Sequence, residues 1–272
     1  MAMSIDRRTA TLLTLFSPIF AASAARGSPG SAPSPAGKPT RLPRGWVRPD
    51  VIAMLIYPNM TALDLVGPHY MFSVLAGAAV HVVAKSLDPV TSDLGLTITP
   101  TTTFAKCPRD LTVLFAPGGT GAVAAAADPT TRAFMADRGM RAKYVTSVCT
   151  GSLILGAAGL LKGYRATSHW AARDLLADFG AIPTDQRVVR DRNRFTGAGV
   201  TSGLDFGLTM VSELRDPFYA ECAQLLSEYD PQPPFNSGSR HTAPPKVLAT
   251  MEPMFDDFRT QVRALASSLR MA

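Results

Sequence analysis

The sequence predicts a doubly wound α/β domain, in which a mostly parallel sheet is covered by helices on both faces. Two observations support this fold class. Strand-like and helix-like segments alternate along the chain, which is typical of parallel sheets with crossover helices. The strand-like segments are continuously apolar, as expected for strands buried on both faces. We therefore expect one such domain at residues 48–228, followed by a C-terminal tail and helical arm at residues 229–272.

The first half of the domain contains the apolar strands expected at the centre of the sheet. They are "VIAMLIYP", "VHVVAKS" and "LTVLFAPGG". The segment "LDLVGPHYMFSVLAG" has apolar residues at helical spacing and predicts a helix after the first strand. The segment "LTITPTTTFA" is rich in β-formers but contains Pro100, which places it at a sheet edge or in a hairpin.

The second half continues the alternation. A helical segment, "AVAAAADPTTRAFMADRGMRA", is interrupted at Asp128-Pro129. The pairs "YVTSVC"/"GSLILGAAGLLKG" and "YRATSHW"/"AARDLLADFG" each predict a strand and then a helix, the last helix ending at Gly180. Two strands are expected in "RVVRDRNRFTGAG", around a polar turn. Helices are expected in "TSGLDFGLTMVSEL" and "DPFYAECAQLLSEYD", and an amphipathic arm in "KVLATMEPMFDDFRTQVRALASSL".

The N-terminal residues have the pattern of a targeting signal rather than of a folded segment. Residues 1–25 combine the pair Arg7-Arg8, an apolar run and the small-residue site Ala22-Ser23-Ala24, which predicts a twin-arginine export signal and a periplasmic or exported protein. The alternative is a chance basic and apolar start on a cytoplasmic protein. Residues 26–47 are rich in Gly, Ser and Pro and are predicted to be a linker.

Composition excludes several classes of protein. The chain is 46% apolar and 18% charged, a globular balance. Much of the net charge of +6 lies near the N-terminus, so the domain itself lacks the basic surface expected of a nucleic-acid partner. No segment is long enough to span a membrane. The three cysteines argue against a full disulfide framework, and the absence of a CxxC pattern argues against a metal site.

Polar residues of interest follow three of the predicted strands. They are Asp64, the pair Gly118-Gly119, and Cys149. In open α/β sheets, ligands bind at the carboxyl ends of the strands. These residues are therefore the candidates for a site.

Cys149 lies at the junction of a strand and a helix. A sharp turn there is expected to expose the side chain, as in a nucleophile elbow. The helix that begins at Thr150 is expected to lower the pKa of the thiol and favour the thiolate. The alternative is a buried structural cysteine, which is also how we interpret Cys107 and Cys222.

The other candidates each have a functional and a structural interpretation. Asp64, flanked by leucines, is either a proton carrier with a raised pKa or a helix N-cap. Gly118 and Gly119 either donate backbone N–H groups to a developing negative charge or form a turn. Thr150 either supports the nucleophile or starts a helix, and His169 is either a base or a structural histidine.

Taken together, "FAPGG", "SVCTGSLILGAAGLLKGYRATSHW" and "GAGVTSGLDFGL" resemble the ThiJ/PfpI superfamily. That resemblance covers residues 50–225 and implies a class-I glutamine amidotransferase-like, flavodoxin-type fold. "LDLVGP" and the tail "SEYDPQPPFNSGS" are similar to its isonitrile hydratase branch. The wider superfamily does not share that tail.

The resemblance implies that Cys149 is the nucleophile, Asp64 the acid/base and Thr150 a supporting residue. It implies hydration of a small isonitrile to an N-substituted formamide, without metal or organic cofactor, in a homodimer. Peptidase members carry a histidine where this chain has Thr150, which argues against proteolysis. Two alternatives stay open, a thiol-based redox or stress protein and a cofactor-independent enzyme of reactive carbonyls.

Overall fold

The computed structural model of this chain describes Pro43 and residues 45–271. The predicted export signal at residues 1–25 lies outside the described residues, as does most of the predicted linker at residues 26–47.

Eleven strands occur in the described part of the chain. They are β1 (Val51–Leu55), β2 (Ala79–Ala84), β3 (Val90–Thr91), β4 (Thr97–Ile98), β5 (Thr102–Thr103), β6 (Val113–Ala116), β7 (Tyr144–Val148), β8 (Arg165–Ala166), β9 (Ile182–Pro183), β10 (Val188–Asp191) and β11 (Arg194–Gly197). Seven of them form the main sheet, in the order β10-β11-β7-β6-β1-β2-β5. All neighbours in this sheet are parallel except β10 and β11.

Helices follow the strands as the sequence predicts. The α-helices are α1 (Ala62–Ser73), α2 (Ala122–Ala127), α3 (Pro129–Arg141), α4 (Gly151–Ala157), α5 (Ser202–Leu214), α6 (Pro217–Leu226), α7 (Pro245–Met251) and α8 (Asp256–Met271). Two 3₁₀ helices cover Arg173–Phe179 and Glu252–Phe255. The doubly wound α/β fold predicted from the sequence is confirmed.

The centre of the sheet is buried on both faces. Every residue of β6 and β7 is buried, and so are four of the five residues of β1. The aromatic rings of Phe72, Phe115 and Phe206 meet over the sheet, with centroids 5.7–6.3 Å apart. The sequences of these strands are continuous apolar runs because both faces of the sheet are buried there.

The Pro100 segment takes both of the arrangements that its sequence allows. β4 pairs with β3 in an antiparallel hairpin, and β5 lies at the edge of the main sheet beside β2. Proline is tolerated at either place because no ladder hydrogen bond is lost there.

Two helices differ from the prediction. The helix after Cys149 ends at Ala157 instead of continuing to Lys162, because Gly159 and Gly163 take left-handed φ values of +74° and +73°. The segment that ends at Gly180 is a 3₁₀ helix, although Gly180 closes it in the left-handed conformation expected of a helix end.

The C-terminal arm packs on its own domain. Val262, Leu265 and Ala266 of α8 are buried, and the first two belong to the core of the domain. The Arg259 guanidinium donates to the carbonyl of Ala171 at 3.3 Å. Among the residues that the structure describes, no helix combines the length and the apolar character that a membrane span requires.

Candidate active site

The carboxyl ends of β1, β6 and β7 meet at one edge of the sheet. These strands are direct neighbours, in the order β7-β6-β1. Asp64, Gly118 and Cys149 follow them and therefore lie together. A β-carbon built on Gly118 would lie 2.5 Å from the nitrogen of Thr150 and 2.8 Å from Oδ2 of Asp64, so only glycine fits between the two.

Cys149 forms the predicted elbow between β7 and α4. Its φ of +57° is in the left-handed region, which is strained for a residue with a side chain. Its backbone N–H donates to the carbonyl of Ala198 at 2.7 Å, which fixes the turn. Gly151 allows the turn, because a β-carbon there would lie 2.2 Å from the carbonyl oxygen of Ala116.

The expectation of an exposed thiol with a lowered pKa is wrong. Cys149 is only 5% exposed. Burial raises the pKa of its thiol well above the ordinary value, and the Asp64 carboxylate raises it further. The backbone N–H groups of Thr150 and Val200 lower the thiol pKa, in the sense that the helix argument predicts, but their effect is smaller.

Asp64 is fully buried and lies in the first turn of α1, where Thr61 and not Asp64 is the N-cap residue. Its Oδ2 accepts a hydrogen bond from the Gly118 N–H at 3.0 Å. Oδ1 makes no hydrogen bond to a nitrogen or oxygen atom of the described residues, which leaves it free to hold a proton. Burial raises the pKa of Asp64 from 3.8 to about 7, although the Cys149 thiol and the Gly118 N–H act against that rise. The carboxyl can therefore both hold and release a proton near neutral pH.

The backbone N–H groups of the glycine pair bind other side chains and do not form an open oxyanion site. The Gly118 N–H binds Asp64, and the Gly119 N–H donates to Oγ1 of Thr150 at 2.9 Å. Thr150 in turn donates to the Gly119 carbonyl at 3.2 Å. The expectation that Gly118 and Gly119 offer free N–H donors to the substrate is therefore wrong. Both residues instead hold Asp64 and Thr150 in place.

Val200 and Tyr57 are site residues that the sequence analysis missed. Val200 directs its backbone N–H at the Cys149 sulfur, and no residue-type pattern marks a group that acts through the main chain. Tyr57 donates to the carbonyl of Pro117 at 2.8 Å, directly before Gly118. Burial, followed by the charges of Asp64 and Cys149, raises the Tyr57 pKa. Its position in the apolar run "VIAMLIYP" predicted only a core residue.

His169 is not hydrogen-bonded to the Asp64–Cys149 pair, but it lines the cavity that is described below. Its Nδ1 accepts from the Ala171 N–H at 3.3 Å, and its ring packs 5.3 Å from Trp170 and 5.4 Å from Phe255. Burial lowers its pKa to about 4, so the imidazole is neutral at physiological pH. No hydrogen bond among the described residues joins His169 to Asp64 or Cys149. The structure therefore gives it no direct role as the base of this pair.

A cavity of about 430 Å³ lies next to the residues that surround the elbow, and neither Cys149 nor Asp64 is among the residues that line it. Three of the residues that line it contact Cys149. Ser168 donates to the Cys149 carbonyl at 3.0 Å, Ala198 accepts from its N–H, and Val200 directs an N–H at its sulfur. The outer wall is formed by the C-terminal tail, at residues 238–241. A cavity of this size suits a small organic ligand.

The described residues contain no cluster of three or more His, Cys, Asp or Glu side chains that could hold a metal ion. The chemistry available from this part of the chain is that of a thiol, a carboxyl group and backbone donors.

Known proteins similar to this chain share its fold and much of its sequence. The DJ-1/PfpI family model matches residues 50–213. Isonitrile hydratase of Pseudomonas putida is 52% identical over 197 residues, which are 72% of this chain and 86% of that protein. The crystal structure of a ThiJ/PfpI family protein from Pseudomonas syringae is 65% identical, covers 88% of this chain and 98% of its own, and superimposes with a TM-score of 0.81.

A more distant solved structure shows the fold alone. Schizosaccharomyces pombe DJ-1 is 18% identical, with a TM-score of 0.58, and covers 66% of this chain and 99% of its own. The family match, the relative that is similar over most of its length and the strand-to-helix cysteine elbow agree, and the chain belongs to the DJ-1/PfpI family.

Proposed function

We propose that this protein hydrates an isonitrile to an N-substituted formamide, with Cys149 as nucleophile and Asp64 as acid and base. One observation carries the proposal: a buried thiol and a carboxyl with a pKa of about 7 meet at the strand-to-helix elbow of a chain 52% identical to an isonitrile hydratase. The proposed enzyme is a lyase that uses no cofactor.

The first step joins the thiol to the substrate. Asp64, as carboxylate, removes the Cys149 proton and passes it to the terminal carbon of the isonitrile. The sulfur lone pair forms a bond to that same carbon, and the product is a thioimidate with a C–H bond and a C=N bond. The N–H groups of Thr150 and Val200 stabilise the negative charge on sulfur before the bond forms. Asp64 is a carboxylate again after this step.

The second step uses water. Asp64 removes a proton from a water molecule as its oxygen adds to the thioimidate carbon, and passes that proton to the nitrogen. In the collapse of the tetrahedral adduct, the Asp64 carboxylate removes the proton of the new hydroxyl group as the C=O bond forms and the C–S bond breaks. The formamide leaves, and Asp64 returns this second proton to the thiolate. The sum is isonitrile plus water giving formamide.

Incubation of the purified protein with cyclohexyl isocyanide tests this proposal. We expect mass spectrometry to detect N-cyclohexylformamide with the wild type and none above background with Cys149→Ala. Ser152→Ala is a matched control, because Ser152 is also buried at the start of α4 and donates to the Cys149 carbonyl without reaching the substrate. Turnover that survives Cys149→Ala contradicts the mechanism.

The alternative functions are less well supported by the site. A thiol sensor of oxidants needs an accessible thiol with a low pKa, whereas Cys149 is buried and its pKa is raised. A carbonyl enzyme could use the same pair of residues. Formation of lactate from methylglyoxal, without hydration of cyclohexyl isocyanide, would favour that alternative.

We also propose that the protein is a homodimer. Leu63, Val66 and Tyr70 of α1 are 39–46% exposed and lie on one face at helical spacing, beside the Asp64 turn. Burial of such a face between two copies is favourable. Light scattering after size-exclusion chromatography should give the mass of two chains, and Val66→Glu should reduce it to one.

Export by the twin-arginine route is a further proposal, which rests on the sequence of residues 1–25. Fractionation of the native cell, followed by mass spectrometry of the N-terminus, should find a periplasmic chain that begins after Ala24. A cytoplasmic chain that retains residues 1–24 would contradict it.

A further inference from the structure

We infer that Asp93, in the turn of the β3–β4 hairpin, is a positioning residue for Asp64: it fixes the start of α1 and places a second carboxylate beside the Asp64–Cys149 pair. This inference rests on the proposed hydration of isonitriles, in which Asp64 must act as a base. It adds a further side chain to that chemistry, one that no residue-type pattern marks in the sequence.

The hairpin is bound to the loop that leads into α1. The Asn59 N–H donates to the carbonyl of Thr91 at 2.9 Å, and the Asp93 N–H donates to the carbonyl of Met60 at 2.9 Å. Oδ2 of Asp93 accepts from the hydroxyl of Thr61 at 2.6 Å. Three hydrogen bonds therefore fix the hairpin on this loop, and one of them comes from the Asp93 side chain.

Thr61 connects Asp93 to Asp64. The side chain of an N-cap residue ordinarily accepts from a backbone N–H of the first turn, but Thr61 makes no such bond in α1 and donates to Asp93 instead. The Thr61 carbonyl accepts from the Asp64 N–H at 3.1 Å. The Thr61 N–H donates to the carbonyl of Gly118, whose own N–H binds Oδ2 of Asp64. Asp93 therefore contacts the residue that holds both the backbone of Asp64 and its glycine partner.

Asp64 and Asp93 are two nearby carboxylates that lack a counter-ion. In the part of the chain that the structure describes, no lysine or arginine forms an ion pair with either of them. Each has a buried oxygen, Oδ1, that makes no hydrogen bond to a nitrogen or oxygen atom of those residues. Two carboxylates in such surroundings repel each other, and the repulsion favours the state in which one of them holds a proton.

Few other charges surround Asp64. The Cys149 thiol lowers the Asp64 pKa through a hydrogen bond, and the Tyr57 phenol is neutral at physiological pH because burial, followed by the charges of Asp64 and Cys149, raises its pKa. The helix α5 packs against α1, and its two acidic residues are paired with arginines, Asp205 with Arg187 and Glu213 with Arg190. Among the described residues, Asp93 is the one other carboxylate whose charge acts on the Asp64 pKa.

The charge of Asp93 acts in the direction that the proposed mechanism needs. Burial is the main cause that raises the pKa of Asp64 to about 7, and the charge of Asp93 adds to that rise. A carboxylate with a raised pKa is a stronger base. Asp64 must take the proton of the Cys149 thiol, whose own pKa is raised, so a stronger base favours the first step.

Asp93→Asn separates the charge of Asp93 from its hydrogen bond, because the amide oxygen can still accept from Thr61. We expect the pH at which kcat/KM for cyclohexyl isocyanide reaches half of its plateau to fall by about half a pH unit, less than the effect of about 1–3 units of a charge in direct contact. The plateau should also fall, since Asp64 becomes a weaker base. Asp88→Asn removes an exposed carboxylate two residues before β3 and is the control, which should keep both values.

Infrared spectroscopy of the full-length protein measures the same ionisation without substrate. The carbonyl stretch of the protonated Asp64 carboxyl, identified by its loss in Asp64→Asn, should disappear at a lower pH in Asp93→Asn than in the wild type. An unchanged or higher midpoint overturns the inference, and a lower plateau of kcat/KM with an unchanged midpoint shows a merely structural role. Failure to convert cyclohexyl isocyanide overturns the proposed function, and the infrared midpoint then decides separately whether Asp93 acts on Asp64.

Discussion

At the scale of single residues, Asp64 and Cys149 act as one titrating pair. The charge of Asp64 raises the pKa of the thiol, and the hydrogen bond from the thiol lowers the pKa of the carboxyl, so their protons belong to the pair. With two protons the pair has a thiol and a carboxylic acid, and no base. With none it has no proton to give to carbon. The proposed chemistry requires the state with one proton.

The pH dependence of activity follows from that proton count. The pair loses its first proton with a pKa of about 7, that of Asp64, and its second well above the ordinary thiol value. We expect kcat/KM for cyclohexyl isocyanide to rise as the pH passes about 7 and then to stay level into the alkaline range. A pH–rate profile with cyclohexyl isocyanide measures this. A fall in kcat/KM between pH about 6 and about 8 would contradict the assignment of Asp64 as the group that must ionise.

The raised pKa of Asp64 also has a consequence for stability. The folded protein keeps the Asp64 proton up to about pH 7, whereas the unfolded chain releases it near 3.8, so stability is lost as the pH rises through that interval. An asparagine side chain at this position cannot ionise and can still accept from Gly118. Asp64→Asn should therefore abolish turnover but increase the free energy of unfolding at about pH 8, by up to about 4 kcal/mol.

Chemical denaturation at two pH values checks this result. The stability difference between Asp64→Asn and the wild type should shrink as the pH falls from about 7 and should vanish below 3.8, where Asp64 is protonated in both states. A variant that is less stable than the wild type at about pH 8 would show that the carboxylate contributes favourable interactions that outweigh its burial.

At the scale of elements, the junction of β7 and α4 decides where the thiol lies. Gly151→Ala places a β-carbon 2.2 Å from the Ala116 carbonyl, so backbone must move. We expect a loss of about 1–3 kcal/mol of stability or more, together with a large fall in kcat, because Cys149 moves with the turn. Gly159→Ala is the control. Its φ of +74° is unfavourable, but nothing lies within 4 Å of the new carbon, so it should cost about 1 kcal/mol and leave kcat unchanged.

The elements also show how much of the site could be predicted from the sequence. The apolar strands and the elbow at Cys149 are local patterns, and they are confirmed. The burial of Cys149 was not predictable, because Ala198 and Val200, which cover it, come about 50 residues later in the chain. The glycine pair was misinterpreted for the same reason, since its N–H groups bind Asp64 and Thr150 from other elements.

At the scale of the whole molecule, the C-terminal arm is part of the domain that it follows in sequence. Residues 214–272 lie outside the family model, yet Val262 and Leu265 belong to the same core as the sheet. The arm also reaches the neighbourhood of the cavity, because Phe255 packs 5.0 Å from Trp170 and 5.4 Å from His169. Loss of the arm would therefore expose the core and disturb the cavity together.

A single substitution in α8 tests this dependence. Val262 is fully buried, and Val262→Ala should lower the free energy of unfolding by about 2 kcal/mol through the cavity that it leaves. Arg263→Ala, the exposed neighbour, should change it little. Because arm and domain share one core, we expect the transitions followed by tryptophan fluorescence and by far-ultraviolet circular dichroism to shift together. Trp170 packs against the arm, so a fluorescence change that precedes the loss of helix and sheet would instead mean that the arm unfolds as a separate unit.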